Sequence, residues 1–202
     1  MAHWVNVPLL VIMAGSGLQI WVAYPYLGPR GALVQSFPLQ GWLPPEWARI
    51  GQWLAGARHW HFAFMWLFLL NGLLYLGYLA ASGEWRQRLF LPRRDTANAL
   101  ATAAYYLRLR RVAPESTPYN GLQRLSYTLA LLFGALSVVS GWVLYKPVQL
   151  QLPGMLLGGY EGAKLLHTAS LALLLAFTLT HVVLVALHPR TVVTMVTGRG
   201  HT

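Results

Sequence analysis

Residues 165–187 read LLHTASLALLLAFTLTHVVLVAL. This apolar run is long enough to cross a hydrocarbon core and is interrupted by two histidines. His167 and His181 are 14 residues apart. On an α-helix that offset is about 21 Å of rise and about −40° of rotation, so the two rings share a face, one near each end. A polar ring well inside such a segment, as His181 is, costs free energy unless something meets it. The stretch therefore predicts a transmembrane helix with two partner-seeking positions stacked along one side.

Three more stretches resemble it in length and character, roughly Trp4–Val22, His61–Ala81 and Leu125–Tyr145. Hydrophobic residues make up 56% of the chain and charged residues 10%, too few charges for an ordinary soluble surface. The first stretch lacks a basic leader and carries Gly15-Ser16-Gly17 without a small-residue cleavage pattern after it, so it reads as a retained helix. The expected fold is all-α: a four-helix up-down bundle, one domain over 1–202, with helices at about 3–23, 59–81, 122–145 and 164–188.

Placement of the remaining histidines gives the bundle a chemistry. His61 opens the second stretch and His3 the first. In an up-down bundle those starts lie at opposite membrane surfaces, so His61 can meet His167 at one level and His3 can meet His181 at the other. Two facing imidazole pairs stacked across a membrane are what two bis-histidine b-type haems require. There is no cysteine. That excludes thiolate-held iron–sulfur clusters and covalent haem attachment, leaving a non-covalent, nitrogen-ligated centre. A zinc-type site would want three or four ligands at one level, and each level offers two histidines. His59 competes with His61, because residues two apart on a helix point about 200° apart and only one can face inward. His188, next to Pro189, reads as interfacial, and His201 as exposed.

Small and cationic residues fit around these positions. Gly17, Gly72, Gly134 and Gly141 fall where a macrocycle between helices needs missing side chains. Arg58 and Lys164 each lie three residues before a histidine, His61 and His167, one turn outward, where haem propionates point.

The net charge of +10 is concentrated between the second and third stretches, in Arg86, Arg88, Arg93, Arg94, Arg108, Arg110 and Arg111, with Arg124 at the boundary. The first loop offers Arg30, Arg49 and Arg58, and the third only Lys146 and Lys164. By the positive-inside rule the middle loop and both termini, with Arg190 and Arg199, are cytoplasmic. These arginines read as topology signals and lipid-headgroup contacts; nucleic acid is not expected as a partner. In the first loop, Pro44-Pro45-Glu46 followed by Trp47, Ile50, Trp53 and Leu54 predicts a short interfacial amphipathic helix. The segment from Asp95 to Arg111 is rich in helix formers, and Pro153-Gly154 and Gly158-Gly159 break the third loop.

Several motifs together carry a family resemblance. They are His3-Trp4-Val5-Asn6 with Ser16-Gly17-Leu18, Arg58-His59-Trp60-His61-Phe62 with Asn71-Gly72-Leu73-Leu74-Tyr75, Tyr119-Asn120-Gly121-Leu122-Gln123-Arg124-Leu125, and the spaced His167 and His181 with His188-Pro189-Arg190-Thr191. The chain resembles the di-haem, four-helix cytochrome b subunits of the bacterial cytochrome b561 and nickel-hydrogenase/formate-dehydrogenase type, most of all their thiosulfate-reductase-like branch. The resemblance spans nearly the whole chain and selects His61 over His59. One departure is that the family's arginine three residues before the first histidine has no counterpart ahead of His3. The resemblance implies electron transfer through two haems between the membrane quinone pool and an extracytoplasmic oxidoreductase, molybdopterin-dependent, with or without an iron–sulfur subunit.

No catalytic site for a substrate is visible, so the chain reads as a wire with a quinone site. That site is expected near His181, with Asn6 and Arg124 as its polar candidates. Two other functions compete: a stand-alone cytochrome b561 that reduces quinone from a small reductant, and a haem-free membrane anchor or transporter.

Overall fold

The computed structural model describes residues 2–27, 41–115 and 118–187. Arg30, His188, Arg190, Arg199 and His201 lie outside them. In chain order the helices are α1 (Ala2–Val22), α2 (Leu54–Ser82), α3 (Trp85–Arg88), α4 (Pro92–Tyr106), α5 (Gly121–Tyr145), α6 (Gln151–Leu156) and α7 (Gly159–Leu187). A single 3-10 turn, Glu46–Ala48, lies between α1 and α2. Four of these helices, α1, α2, α5 and α7, are long and apolar enough to span a bilayer. Among the described residues no strand forms.

Several polar side chains are buried in the bundle, while many large apolar ones face outward. Ser16, Gln19, Asn71, Ser140 and Ser170 are buried, whereas Leu67, Leu70, Leu73, Leu74, Leu179 and Val182 face outward. In lipid, burying leucine gains nothing, so small and hydrogen-bonding residues take the helix interfaces. Packing is also unequal. α1 lies along α2 and α5 along α7, while contact between these two pairs is sparse. Within the first pair, Asn71 Nδ2 donates to Asn6 Oδ1 at 2.7 Å.

Local chemistry sets the helix ends. Asn120 accepts from the Gln123 amide at 2.8 Å while Gln123 Oε1 accepts from the Asn120 amide at 3.1 Å, a reciprocal cap that starts α5. α7 starts at Gly159, earlier than position 164, because Gly158 and Gly159 (φ 83° and 77°) turn the chain so tightly that the helix follows at once.

The first loop departs from expectation. The amphipathic helix expected from Pro44 to Leu54 shrinks to the Glu46–Ala48 turn. The Ile50 amide bonds the Gly15 carbonyl of α1 at 3.0 Å in place of its own chain, and Gly51 and Gln52 take left-handed backbone (φ 106° and 58°). Gln19 Nε2 reaches the Gln52 carbonyl at 3.2 Å. The loop is thus folded back onto α1, and Leu54 becomes the first residue of α2, five residues before the expected start.

Between α2 and α5 the chain builds a small module against the end of α5. Its centre is Asp95, 2% exposed. Its carboxylate accepts from Arg94 Nε at 2.7 Å, Arg124 Nη1 at 2.7 Å and the Leu91 amide at 2.8 Å. Asn98 Oδ1 accepts from the Gly121 amide at 2.7 Å, and Thr128 Oγ1 from the Phe90 amide at 2.9 Å. Arg94, together with the Leu91 amide and Arg124, holds the Asp95 carboxyl well below the usual carboxylate range despite its burial. A depressed folded-state value means this stability is complete above the unfolded carboxyl's pKa of about 4 and is lost as pH falls toward the folded value. Asp95→Asn should loosen the module at neutral pH by about 3 kcal/mol, chiefly by removing the carboxylate that pairs with the largely buried Arg124, since half-exposed Arg94 matters less. Amide hydrogen exchange across α4 in the purified protein checks this. Wild-type protection should hold from pH 7 down to about 4 and weaken only below it, while the variant should exchange faster throughout.

Candidate functional site

The structure brings the four histidines together in two pairs. His61 of α2 and His167 of α7 face each other with ring centroids 6.1 Å apart and planes at 73°. His3 of α1 and His181 of α7 do the same at 5.9 Å and 71°. The first pair lies toward the end of the bundle that carries the first and third loops, the second at the end that carries the N-terminal residues and α4. Each pair joins a helix of one packed pair to a helix of the other, across the sparse interface.

The His61–His167 site is built the same way from both sides. Ser16 Oγ lies 3.0 Å from His61 Nδ1, and Ser140 Oγ 3.2 Å from His167 Nδ1. Each hydroxyl also donates to the carbonyl four residues back, Ser16 to Ile12 at 2.5 Å and Ser140 to Leu136 at 2.6 Å. The Ser137 carbonyl is 2.9 Å from His167 Nδ1, and the Met13 carbonyl faces the His61 ring in the corresponding position. A glycine follows each serine. A methyl group at Gly17 would sit 3.4 Å from His61 Cε1, and one at Gly141 only 3.0 Å from His167 Cε1. So the glycines assigned to clearance of a macrocycle at positions 17 and 141 first make room for the imidazoles themselves, while Gly72 has open space beside it.

These contacts fix the tautomer. A serine hydroxyl has one proton, and here it goes to the carbonyl one turn back. Its oxygen can then only accept from the imidazole, and the backbone carbonyls can only accept as well. Nδ1 must therefore carry the ring proton in both histidines, leaving each Nε2 lone pair for a metal. The spacing agrees: two metal–nitrogen bonds of about 2 Å, plus ~1 Å from each nitrogen to its ring centre, put the centroids about 6 Å apart. The residues present thus fit a nitrogen-ligated iron at this level.

The second pair has the spacing without the supports. Phe177 stacks on His181 at 6.0 Å and 13°, and Trp4 meets His3 edge-on at 5.4 Å. His3 is exposed. Among the described residues, no hydrogen bond reaches either ring. Nor do three metal-ligating side chains converge anywhere among them.

Other residues singled out from the sequence sit elsewhere. His59 is exposed and lines a surface groove with Ala55, Arg58, Phe62 and Ala63. Arg58 lies over the Phe62 ring at 5.4 Å. Lys164 is drawn to the start of the first loop, donating to the carbonyls of Tyr24 at 3.1 Å and Tyr26 at 2.6 Å, with Nζ 4.5 Å from the Tyr24 ring centre. Asn6 is held by Asn71 and Arg124 by Asp95, on helices from different packed pairs, so the structure gives the two quinone candidates separate partners. The two serines carry no role in the sequence reading. The signal that could have found them is the repeat of Ser-Gly, at 16–17 and 140–141, on the helix packed against each of the two facing histidines.

Membrane-length helices with imidazoles facing each other between them, and no cysteine, describe a membrane-embedded haem protein of the b type. The chain belongs to the prokaryotic cytochrome b561 family, which it matches over residues 1–198. It is similar to a protein of Azospira oryzae (strain ATCC BAA-33 / DSM 13638 / PS) named putative protein-methionine-sulfoxide reductase subunit YedZ1. The two are 38% identical over 200 residues, covering 98% of this chain and 92% of that one. No solved structure matches the chain.

The close approach at Gly141 sets an order among glycine substitutions. Gly141→Ala forces the His167 ring aside and should cost about 1–3 kcal/mol, roughly 5- to 150-fold in haem retention. Gly72→Ala should cost little. Haem content per purified chain checks this, and equal loss in the two variants would contradict the geometry.

Proposed function

We propose that this protein is a di-haem electron-transfer subunit that connects the membrane quinone pool with an extracytoplasmic oxidoreductase. The observation that carries the reading is the two facing imidazole pairs at 6.1 and 5.9 Å, stacked along α7 and joined to the other helix pair. His61 and His167 hold one b-type haem, and His3 and His181 the other. Each bound haem supplies a one-electron store at its iron. The chain's own contribution is to space the two sites by 14 residues, about 21 Å of helix, and to keep the surroundings apolar.

The arginine-rich segment between α2 and α5 supports a cytoplasmic placement of that segment and of both termini, in the bacterial inner membrane. The His61–His167 end then faces outward, next to the first and third loops, where Trp47, Leu152 and Leu156 stand exposed for a partner. The quinone meets the opposite end, where exposed His3 leaves the second pair open to the lipid. The relative's name suggests a protein-methionine-sulfoxide reductase as the partner, and the family resemblance adds that such a partner carries its own molybdopterin or iron–sulfur centre. Reduction of a sulfoxide to a thioether and water takes two electrons and two protons, so the current runs outward from quinol.

Ligand substitution tests the pairing. His61→Ala or His167→Ala should remove one haem and leave the other visible in a reduced-minus-oxidised spectrum, and His3→Ala or His181→Ala should remove the second. If His61→Ala and His3→Ala removed the same centre, the pairing would be wrong. Orientation is tested separately, because the chain has no native cysteine. Cysteines at exposed Leu156 and Leu109 should differ: an impermeant thiol reagent on intact spheroplasts should label position 156 and spare position 109. The reverse pattern would invert the bundle and the direction of electron flow.

A further inference from the structure

The two imidazole pairs match in spacing and differ in support. Around His61 and His167 each Nδ1 meets a serine oxygen whose proton is already given to the helix carbonyl one turn back. Among the described residues, His3 and His181 make only ring contacts. The supports are also duplicated. Met13, Ser16 and Gly17 on α1 stand to His61 as Ser137, Ser140 and Gly141 on α5 stand to His167. Helix packing alone does not require this match, since the partner histidines follow their serines by different distances along the chain, 45 and 27 residues.

An imidazole that donates from Nδ1 to a good acceptor gains negative character at Nε2 and becomes a stronger donor to a metal. Stronger axial donation favours the more highly charged, ferric iron. The same bond stops the ring from rotating about its Cβ–Cγ axis. Resting on the haem reading above, we propose that Ser16 and Ser140 are positioning residues. They lock His61 and His167 as Nδ1–H tautomers and set the ligand strength of that axial pair alone, making the two centres of one bundle electronically unequal. Each ring keeps a backbone carbonyl when its serine is removed, Met13 for His61 and Ser137 for His167, so the serines differ only in approach, 3.0 Å for Ser16 and 3.2 Å for Ser140.

The test is a spectroelectrochemical titration of the purified full-length protein, wild type against Ser16→Ala, Ser140→Ala and the two corresponding threonine variants. A His3→Ala background identifies which transition belongs to which centre. Ser16→Ala and Ser140→Ala should each shift the midpoint of the His61–His167 centre upward, and the other centre should stay in place. The low-spin ferric resonance of the shifted centre should broaden as its ring planes loosen. Threonine, which keeps the hydroxyl, should restore both readouts. Unmoved potentials in the alanine variants, or equal shifts in both centres, would overturn the proposal. Should an alanine variant lose its haem, threonine decides: retention supports the hydroxyl's role, and loss in both reduces the serine to a matter of shape and overturns it. A wild-type chain with no bis-histidine spectrum would overturn the haem reading itself, a result distinct from a normal spectrum with unmoved potentials.

Discussion

A buried imidazole inside a lipid-bound bundle has two nitrogens, and leaving either without a partner costs about as much as a lost hydrogen bond in a dry interior. At His61 and His167 the bundle satisfies one nitrogen of each ring from within, by a serine oxygen and a backbone carbonyl. Much of the local design follows. The serine must bond back along its own helix so that its oxygen can only accept. A glycine must come next, because the ring lies against the helix where a Cβ would be. The helix carrying the serine must pack along the helix carrying the histidine, as α1 does on α2 and α5 on α7.

That requirement also accounts for the unequal packing. Two tightly packed helix pairs with sparse contact between them would make a poor membrane domain if nothing joined them, since lipid supplies no hydrophobic drive to close the gap. What meets across the gap is the histidines. The chain belongs to the prokaryotic cytochrome b561 family, whose cofactor is a b-type haem. Other contacts hold the pairs in place from their ends. Lys164 grips the carbonyls of Tyr24 and Tyr26 at one end, and the Asp95 cluster fastens the middle segment to α5 at the other.

The long polar side chains behave consistently. Arg124, Lys164 and Asn6 lie where a sequence reading offers them to a quinone or a propionate, and each has instead found an acceptor or donor on the protein. A flexible cation at a membrane surface reaches several ångströms in any direction and settles on whatever carbonyl or carboxylate the fold brings near. Its position in sequence specifies a level in the membrane and little more.

The sequence by itself determined the features that depend on periodicity and composition. Apolar runs of bilayer length specify four spanning helices, and the 14-residue offset of His167 and His181 specifies two sites on one face, because helix geometry is local and regular. The up-down order of the four spans then places His61 and His3 at opposite levels. Only the tertiary structure decided which side chains serve those sites. Ser16 and Ser140 are unremarkable in sequence and become ring acceptors because α1 and α5 pack at one register against α2 and α7. The stretch after Pro45 has a helical pattern, yet it gives up all but one turn because Ile50 finds the Gly15 carbonyl. In each case a contact between residues far apart in the chain outweighs a local preference worth only a few tenths of a kcal/mol per residue, and no reading confined to neighbouring residues contains that contact.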